Sequence, residues 1–484
     1  MSNNKNTKWI LFFIFITIIT ALATVPKVFQ NDTFYDIKIG EYIVSHGFLY
    51  SDPFSIHENL KYIPPHWLFD VLIYYIYKLF NFQGLYLFLL LWTCLLLLLL
   101  YITSLKVSSN KFISLFFSIS AVYCLQDFLT VRTQIISYAI FIFEIYCIES
   151  FLRDGRKFWL GLLAILSIIL INFHYGAWPF FFVIFLPYLA NLVKIKVGRI
   201  ISENIPMTKQ LFIPIIIGII LGLINPAGPE GIFYSLKAVS NTIIMQNINE
   251  MLSPSFRSPM GISIFLVMAF VVFVYLTTKN SIKLHHFLMI LGTTFMALQS
   301  VRHMALFVIT TTIFITAYIS EVISSYNFEL SDLLPKLSKS KLVFLIIALS
   351  IPAMHLIKPD DFIDEQLYPV EAVEYIRQKL DKNDLRLYNQ YSFGSYLILN
   401  DIKVFIDSRA DLYTSIYNPG TKILEDYLNC DRIKVYHREI FDKYNLNYAL
   451  VYADAPINIA LSNDPGFTKI YDDESFILFK RNYK

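Results

Sequence analysis

Long apolar runs separated by short polar loops dominate the first three quarters of this chain. Apolar windows mark candidate spans at about 9–25, 66–80, 84–105, 112–128, 134–152, 158–174, 177–193, 210–226, 260–278, 284–300, 303–323 and 341–357. Most reach or approach the roughly 20 apolar residues that a bilayer crossing requires. Within 64–131 the pattern is interrupted by Asp70 and Lys78, and again by Gln126, Asp127 and Arg132, so the expected number of transmembrane helices is 11 to 13. Past residue 358 the pattern changes to ordinary charge, alternating apolar positions and frequent turn residues. This predicts a transmembrane domain over 1–357 and a soluble domain over 358–484, a normal domain size.

Two segments carry finer structure. The loop 26–65 predicts an amphipathic helix with Phe34, Ile37, Tyr42 and Ile43 on one side and Asp32, Asp36 and Lys38 elsewhere, ended by Gly47. In the C-terminal domain, helices are expected over Ala372 to Leu380 and Phe393 to Leu399. Strands are expected over Leu385 to Tyr388, Lys403 to Ile406, Tyr448 to Tyr452 and Phe476 to Lys480. The order predicts a small α/β sheet with helices packed on it. The fold class is therefore a polytopic α-helical membrane protein with a C-terminal α/β domain.

Composition sharpens this reading. The 484 residues are 56% hydrophobic and only 16% charged, against about 25% charged in soluble domains. The net charge of +3 says little, because the charges cluster in loops. Arg153/Arg156/Lys157, Lys194/Lys196/Arg199/Lys209, Lys279/Lys283 and Lys336/Lys339/Lys341 mark cytoplasmic loops. The loop 26–65, the segment Asn172–Gly176, the 227–258 loop, Arg302-His303 and the C-terminal domain then face outward, across a plasma (inner) membrane. Lys5 and Lys8 precede an apolar run with no A-x-A-type cleavage site, as in a retained signal anchor. Cys94, Cys124, Cys147 and Cys430 form neither a CxxC nor a paired framework, and no basic groove points to nucleic acid.

Candidate chemistry gathers at the outward ends. Asp32 and Asp36 are four residues apart, neighbours on one helix face. Together they can hold a divalent cation, magnesium or manganese, or one can act as base while the other binds the metal. The bland alternative makes Asp32 an N-cap and Asp36 a solvated residue. His66 stands beside Trp67 where the chain re-enters the membrane, suited to a phosphate or a hydroxyl, or simply interfacial. Arg132, His174, Glu250, Arg302 and His303 sit at outward span ends. Arg302 has the planar fork that matches two phosphate oxygens, and such residues also snorkel without a ligand. Glu144 is mid-span, where ionisable groups are costly and often functional. Asp407 and Arg409 after a strand are as often structural as ligand-binding. No phosphate-cradling loop, dinucleotide fingerprint, HExxH or GxSxG motif is present.

In order along the chain, Asp32-Thr33-Phe34-Tyr35-Asp36, Asp52-Pro53-Phe54-Ser55, His66-Trp67-Leu68, Asn172–Gly176, Asn225–Gly228, Val301-Arg302-His303, Asn389–Leu397 and Val404–Arg409 resemble the GT-C superfamily of polytopic glycosyltransferases. More closely, they resemble a widespread group of bacterial integral membrane proteins with the same layout. The resemblance implies transfer of a hexose or pentose from a polyprenyl-phosphate-linked donor to an envelope lipid, glycan or protein acceptor at the outer membrane face. It also implies an acidic residue of the first outer loop as metal ligand or base. That group carries a histidine where this chain has Asp36, which points to Asp32 as the equivalent acid. Two other readings stand beside it: a transporter or flippase of a lipid-linked or small polar substrate, and a non-catalytic scaffold of envelope assembly.

Overall fold

A computed structural model of the protein describes residues 2–324, 362–381 and 384–482. The chain forms two compact units. The first comprises Met1–Pro26, Tyr86–Ser235 and Met245–Lys358, and the second Lys27–Leu85, Leu236–Ile244 and Pro359–Lys484. The loop after the first helix thus folds in one unit with the C-terminal stretch.

The helices in chain order are α1 (Ser2–Thr24), α2 (Asn31–His46), α3 (Trp67–Ser108), α4 (Lys111–Cys124), α5 (Gln134–Asp154), α6 (Phe158–Phe173), α7 (Trp178–Leu189), α8 (Phe212–Leu221), α9 (Pro229–Val239), α10 (Thr242–Asn247), α11 (Pro259–Thr277), α12 (Leu284–Gln299) and α13 (Met304–Ser324). Among the described residues, six helices are long and apolar enough to cross a membrane, and four further apolar helices are shorter. The expected spans 66–80 and 84–105 are the two limbs of α3, which breaks at Asn81 (φ 52°, ψ −153°). Asparagine is among the few residues that tolerate positive φ. The expected span 341–357 lies outside the described residues.

Local signals set several helix ends. Asn110 accepts from the backbone N–H groups of Phe112 and Ile113, which starts α4. Ser258 accepts from Gly261 N–H and Pro259 opens α11. Within the first unit the bundle buries Phe151, Phe181, Phe185, Phe307 and Phe314, while Ile216, Ile220, Phe265 and Phe273 are exposed. An outward apolar surface of this kind is stable against lipid rather than water.

The second unit holds a four-stranded sheet. A separate short ladder in the first unit is made of β1 (Lys196–Val197), β2 (Ile200–Ile201) and β3 (Ile282–Lys283). The sheet of the second unit is built from β4 (Leu387–Asn389), β5 (Tyr448–Tyr452), β6 (Phe467–Asp472) and β7 (Phe476–Arg481), in the order β4-β5-β7-β6. β4 runs parallel to β5, and β7 is antiparallel to both its neighbours. Helices Gly394–Leu399, Ile423–Asp431 and His437–Lys443 lie in the crossover from β4 to β5, as a parallel connection requires. One expected strand is corrected. Lys403–Ile406 does not enter the sheet, because its backbone pairs with the loop instead: Val404 N–H donates to Phe54 C=O at 3.2 Å and Ile56 N–H to Val404 C=O at 2.9 Å. β6, half-exposed and weakly patterned, was absent from the sequence expectation.

Helix α2 ends where expected, with Gly47 at φ 89° donating to Ile43 C=O. Its amphipathicity differs from expectation. Asp36 lies on the buried side with Phe34, Ile37 and Gly40, while Tyr42 and Ile43 are only half-buried. The reason is that two partners cover α2. The helix Gly394–Leu399 packs on it, and Phe34 meets the rings of Tyr368 and Tyr396 edge-on at 4.9 and 5.3 Å. The first turn of α3 covers it elsewhere.

Candidate active site

Gly40 allows that second approach. A Cβ there would stand 2.1 Å from the carbonyl oxygen of Asp70 and 2.7 Å from Tyr74 Cβ. Only a glycine lets the backbone of α3 come this close. Asp36 is one helical turn before Gly40 and is thereby brought to the start of α3.

There it joins His66 and Asp70. His66 Nδ1 donates to Asp70 Oδ1 at 2.7 Å and lies 3.4 Å from Asp36 Oδ1. This leaves His66 Nε2 as the acceptor for the Tyr35 hydroxyl at 3.3 Å. All three residues are buried: Asp70 is 0% exposed, Asp36 2% and His66 8%. Two carboxyls and an imidazole with ligand atoms within 4.8 Å of one another can hold a divalent cation. They can also pass a proton between carboxyl and imidazole.

The two acids expected to act together, Asp32 and Asp36, stand in different surroundings on α2. Asp36 groups with His66 and Asp70, whereas Asp32 is half-buried in the first turn of α2 and acts electrostatically on Tyr368. Asp70 was not singled out in the sequence because it stands inside an apolar run. The signal was there: a carboxylate four residues after a histidine at a helix start shares that histidine's face.

Around this group the second unit is tied together by charge. Lys38 of α2 bridges Glu41 and Asp401, each at 2.6 Å. Burial opposes the ammonium charge, but the two carboxylates hold Lys38 above the ordinary lysine range. Arg409 settles the alternatives left open for it. It grips Asp407 through Nε (2.8 Å) and Nη2 (2.7 Å), reaches Asp52 at 2.7 Å, and lies against the rings of Tyr62 (4.9 Å) and Phe54 (5.5 Å). Asp52 also accepts from Phe54 and Ser55 N–H. Burial disfavours the Asp52 charge, yet Arg409 outweighs it and keeps that carboxyl below the usual range. With its side chain 1% exposed and committed to these partners, Arg409 is a structural clamp. Nearby, His57 donates Nε2–H to Phe405 C=O at 2.8 Å, and burial pushes its imidazole down to about 4.

The remaining predicted residues belong to the first unit, which brings their segments together. Arg132 makes a two-pronged contact with Glu250. Ser300 Oγ donates to Glu250 C=O at 2.9 Å and Val301 N–H to Leu252 C=O at 3.0 Å, tying Arg302-His303 to the Glu250 segment. Burial opposes the Glu250 charge, but Arg132 and then Arg302 hold its carboxyl below the ordinary glutamate range. Thr133 Oγ1 donates to Phe173 C=O at 2.7 Å, and Ser137 shares a 2.8 Å hydrogen bond with His174. His303 donates to Met296 C=O at 3.3 Å and packs on Phe180, ring centroids 5.2 Å apart. Two arginines thus act on one carboxylate, a surplus of positive charge suited to a phosphate. Glu144 joins neither group: it is 0% exposed, with neither carboxyl oxygen hydrogen-bonded among the described residues.

No protein-family model matches the chain, and no curated protein matches it in sequence. Solved structures do match in fold. ArnT from Cupriavidus metallidurans bound to undecaprenyl phosphate superposes with a TM-score of 0.58 at 10% identity, over 98% of this chain and 98% of that one. The Archaeoglobus fulgidus oligosaccharyltransferase tethered with an acceptor peptide gives 0.58 at 11% identity, over 98% of this chain and 74% of that one. The oligosaccharyltransferase AglB of that organism, in complex with an inhibitory peptide and a dolichol-phosphate, gives 0.52 at 11% identity over 97% and 74%. Both proteins are GT-C membrane glycosyltransferases. This chain shares their fold, in agreement with the resemblance read from its sequence motifs.

Proposed function

We propose that this protein is a membrane glycosyltransferase that moves a sugar from a polyprenyl-phosphate-linked donor to a hydroxyl or amide of an envelope lipid, glycan or protein, at the outer membrane face. The observation that carries this reading is the buried Asp36–His66–Asp70 group in the segment where the GT-C resemblance expects its catalytic acid. The fold shared with ArnT and AglB supports it.

In the step we propose, the acceptor's nucleophilic atom forms a bond to the anomeric carbon as the bond from that carbon to the phosphate oxygen breaks. The electron pair leaves with polyprenyl phosphate, and the acceptor proton passes to the Asp36 carboxylate. Asp70 holds the His66 ring in one orientation through Nδ1–H, as an orienting carboxylate does for a catalytic imidazole. In place of that proton relay, the same three residues, with His66 Nδ1 deprotonated, would hold a divalent cation that supplies charge neutralisation at the departing phosphate.

The test is mass spectrometry of envelope glycans and lipid-linked intermediates from cells carrying the wild-type chain, Asp36→Asn or Asp32→Asn. Loss of a general base costs about 10²–10⁴-fold in rate. Asp36→Asn should therefore abolish one glycan modification and accumulate its lipid-linked donor, while Asp32→Asn should keep most of the product. An unchanged glycan profile in the Asp36→Asn cells removes the proposal.

A further inference from the structure

We propose that the first unit carries a second cation site, of the tetrahedral zinc type, formed by Glu149 of α5 and the adjacent His285 and His286 of α12. The Nε2 atoms of both imidazoles turn to the same carboxylate oxygen, Glu149 Oε1, at 3.6 and 3.9 Å. The three ligand atoms fall within 4.8 Å of one another. These separations exceed the roughly 2.7–3.2 Å of a hydrogen bond. A zinc ion with bonds of about 2.0–2.1 Å sets its tetrahedral ligands about 3.3–3.4 Å apart. Both contacts to Glu149 are thus wide for a shared proton and within about 0.6 Å of the spacing an ion sets.

The far nitrogen of each ring is held from behind. His285 Nδ1 meets the Asn191 side-chain amide at 3.1 Å, and His286 Nδ1 meets the Tyr318 hydroxyl at 3.0 Å. That hydroxyl is itself fixed by Lys283 N–H at 3.0 Å. Outer hydrogen bonds of this kind orient ligand imidazoles and set their tautomer. The Tyr188 hydroxyl donates to Glu149 Oε1 at 2.9 Å, which anchors the carboxylate.

His286 Nε2 and Asn191 Oδ1 are buried without a hydrogen-bond partner among the described residues. His285 and His286 are each 1% exposed and Asn191 0%. An amide can be turned over without changing its shape. Turning Asn191 places Oδ1 on His285 Nδ1–H, and then His285 Nε2 presents a lone pair to the same gap as His286 Nε2. Buried lone pairs without a partner are costly, and a bound cation removes that cost.

Ligand chemistry fixes the class of ion. Two imidazoles and one carboxylate suit zinc or cobalt better than magnesium or calcium, which prefer all-oxygen sets. Three protein ligands are the number zinc uses when one position stays open. The nearby Lys283 is already paired with Glu203 at 2.9 Å. The site is also separate from the arginine group of the same unit. Glu149 and Gln134 stand near opposite ends of α5, roughly 22 Å apart at 1.5 Å per residue. A bound ion here would pin α5 to α12.

The experiment is X-ray absorption at the zinc edge on the full chain, purified in detergent, stripped with a chelator and reloaded with Zn²⁺ alone. The expected spectrum shows two imidazoles on the ion at the Glu149 site, and an average above one per zinc where the Asp36 group also loads. The Asp36–His66–Asp70 group can supply only one. A one-imidazole spectrum, or a protein that retains no zinc, overturns the proposal. In parallel, bound zinc per chain is measured in His286→Phe and in Asp36→Asn/Asp70→Asn. The first should lose one equivalent relative to wild type and the second should keep the two-imidazole ion. A His286→Phe protein that is recovered folded and retains the wild-type zinc content also overturns it.

Discussion

At the scale of single residues, the sequence offers candidates where polar groups cluster in a loop. Asp36 and His66 stood out because they are polar groups in a loop that enters an apolar body. Asp70 did not, because apolar neighbours hid it. Nor could spacing show that Arg132 and Glu250, 118 positions apart, would meet. His57 was also silent, and its burial yields a pH prediction. Its folded pKa is about 4 against 6.5 for the free group. Between these values the unfolded chain binds a proton that the folded chain does not. Its contribution to stability is therefore complete above pH 6.5 and is lost as pH falls toward 4, by roughly 2–3 kcal/mol. Chemical unfolding of the purified protein at a series of pH values should show this decline, and His57→Gln, which keeps a donor for Phe405 C=O, should flatten it. Equal slopes for the two proteins would mean that His57 is not the group responsible.

At the scale of elements, helices and their caps were legible because local sequence writes them. Asn110, Gly47 and Ser258 each act within a few residues of themselves. The fate of Lys403–Ile406 was not local. Its apolar run says buried strand, and only its long-range partner decides that it pairs with residues 54–56 instead of the sheet. The same limit applied to α2, whose buried side depends on what packs against it. Gly40 is the most exacting position in that packing. Gly40→Ala forces α2 away from Asp70, at an overpacking cost of about 1–3 kcal/mol. Thermal unfolding should register that loss. The proposed sugar transfer should fall further than stability alone explains, because the same displacement separates Asp36 from His66.

At the scale of the whole molecule, the apolar pattern gave the membrane class, and motif order gave a resemblance with which the fold shared with ArnT and AglB agrees. It could not tell that residues 27–85 and 359–484 would form one compact unit. That assembly rests on contacts between residues more than three hundred positions apart, and Arg409 is the clearest of them. Removing its charge strands Asp52 and Asp407 in the interior. Arg409→Met should therefore destabilise the protein by about 3–5 kcal/mol, the cost of breaking a buried ion pair from one side. Limited proteolysis should show cleavage of the loop around Asp52 and of the C-terminal stretch together. Triple replacement of Arg409, Asp52 and Asp407 by apolar residues should recover much of the loss.

The double coverage of α2 has a practical bearing on how this protein can be dissected. Its Phe34 side leans on Tyr368 and Tyr396, Asn31 donates to Tyr391 C=O, and Lys38 is anchored by Asp401. A chain shortened after residue 358 keeps every candidate ligand of the Asp36 group yet strips the scaffolding from one flank of the helix that carries it. Such a truncation is not a minimal form of the proposed transferase. It is the variant in which an intact set of reactive groups should fail for want of support.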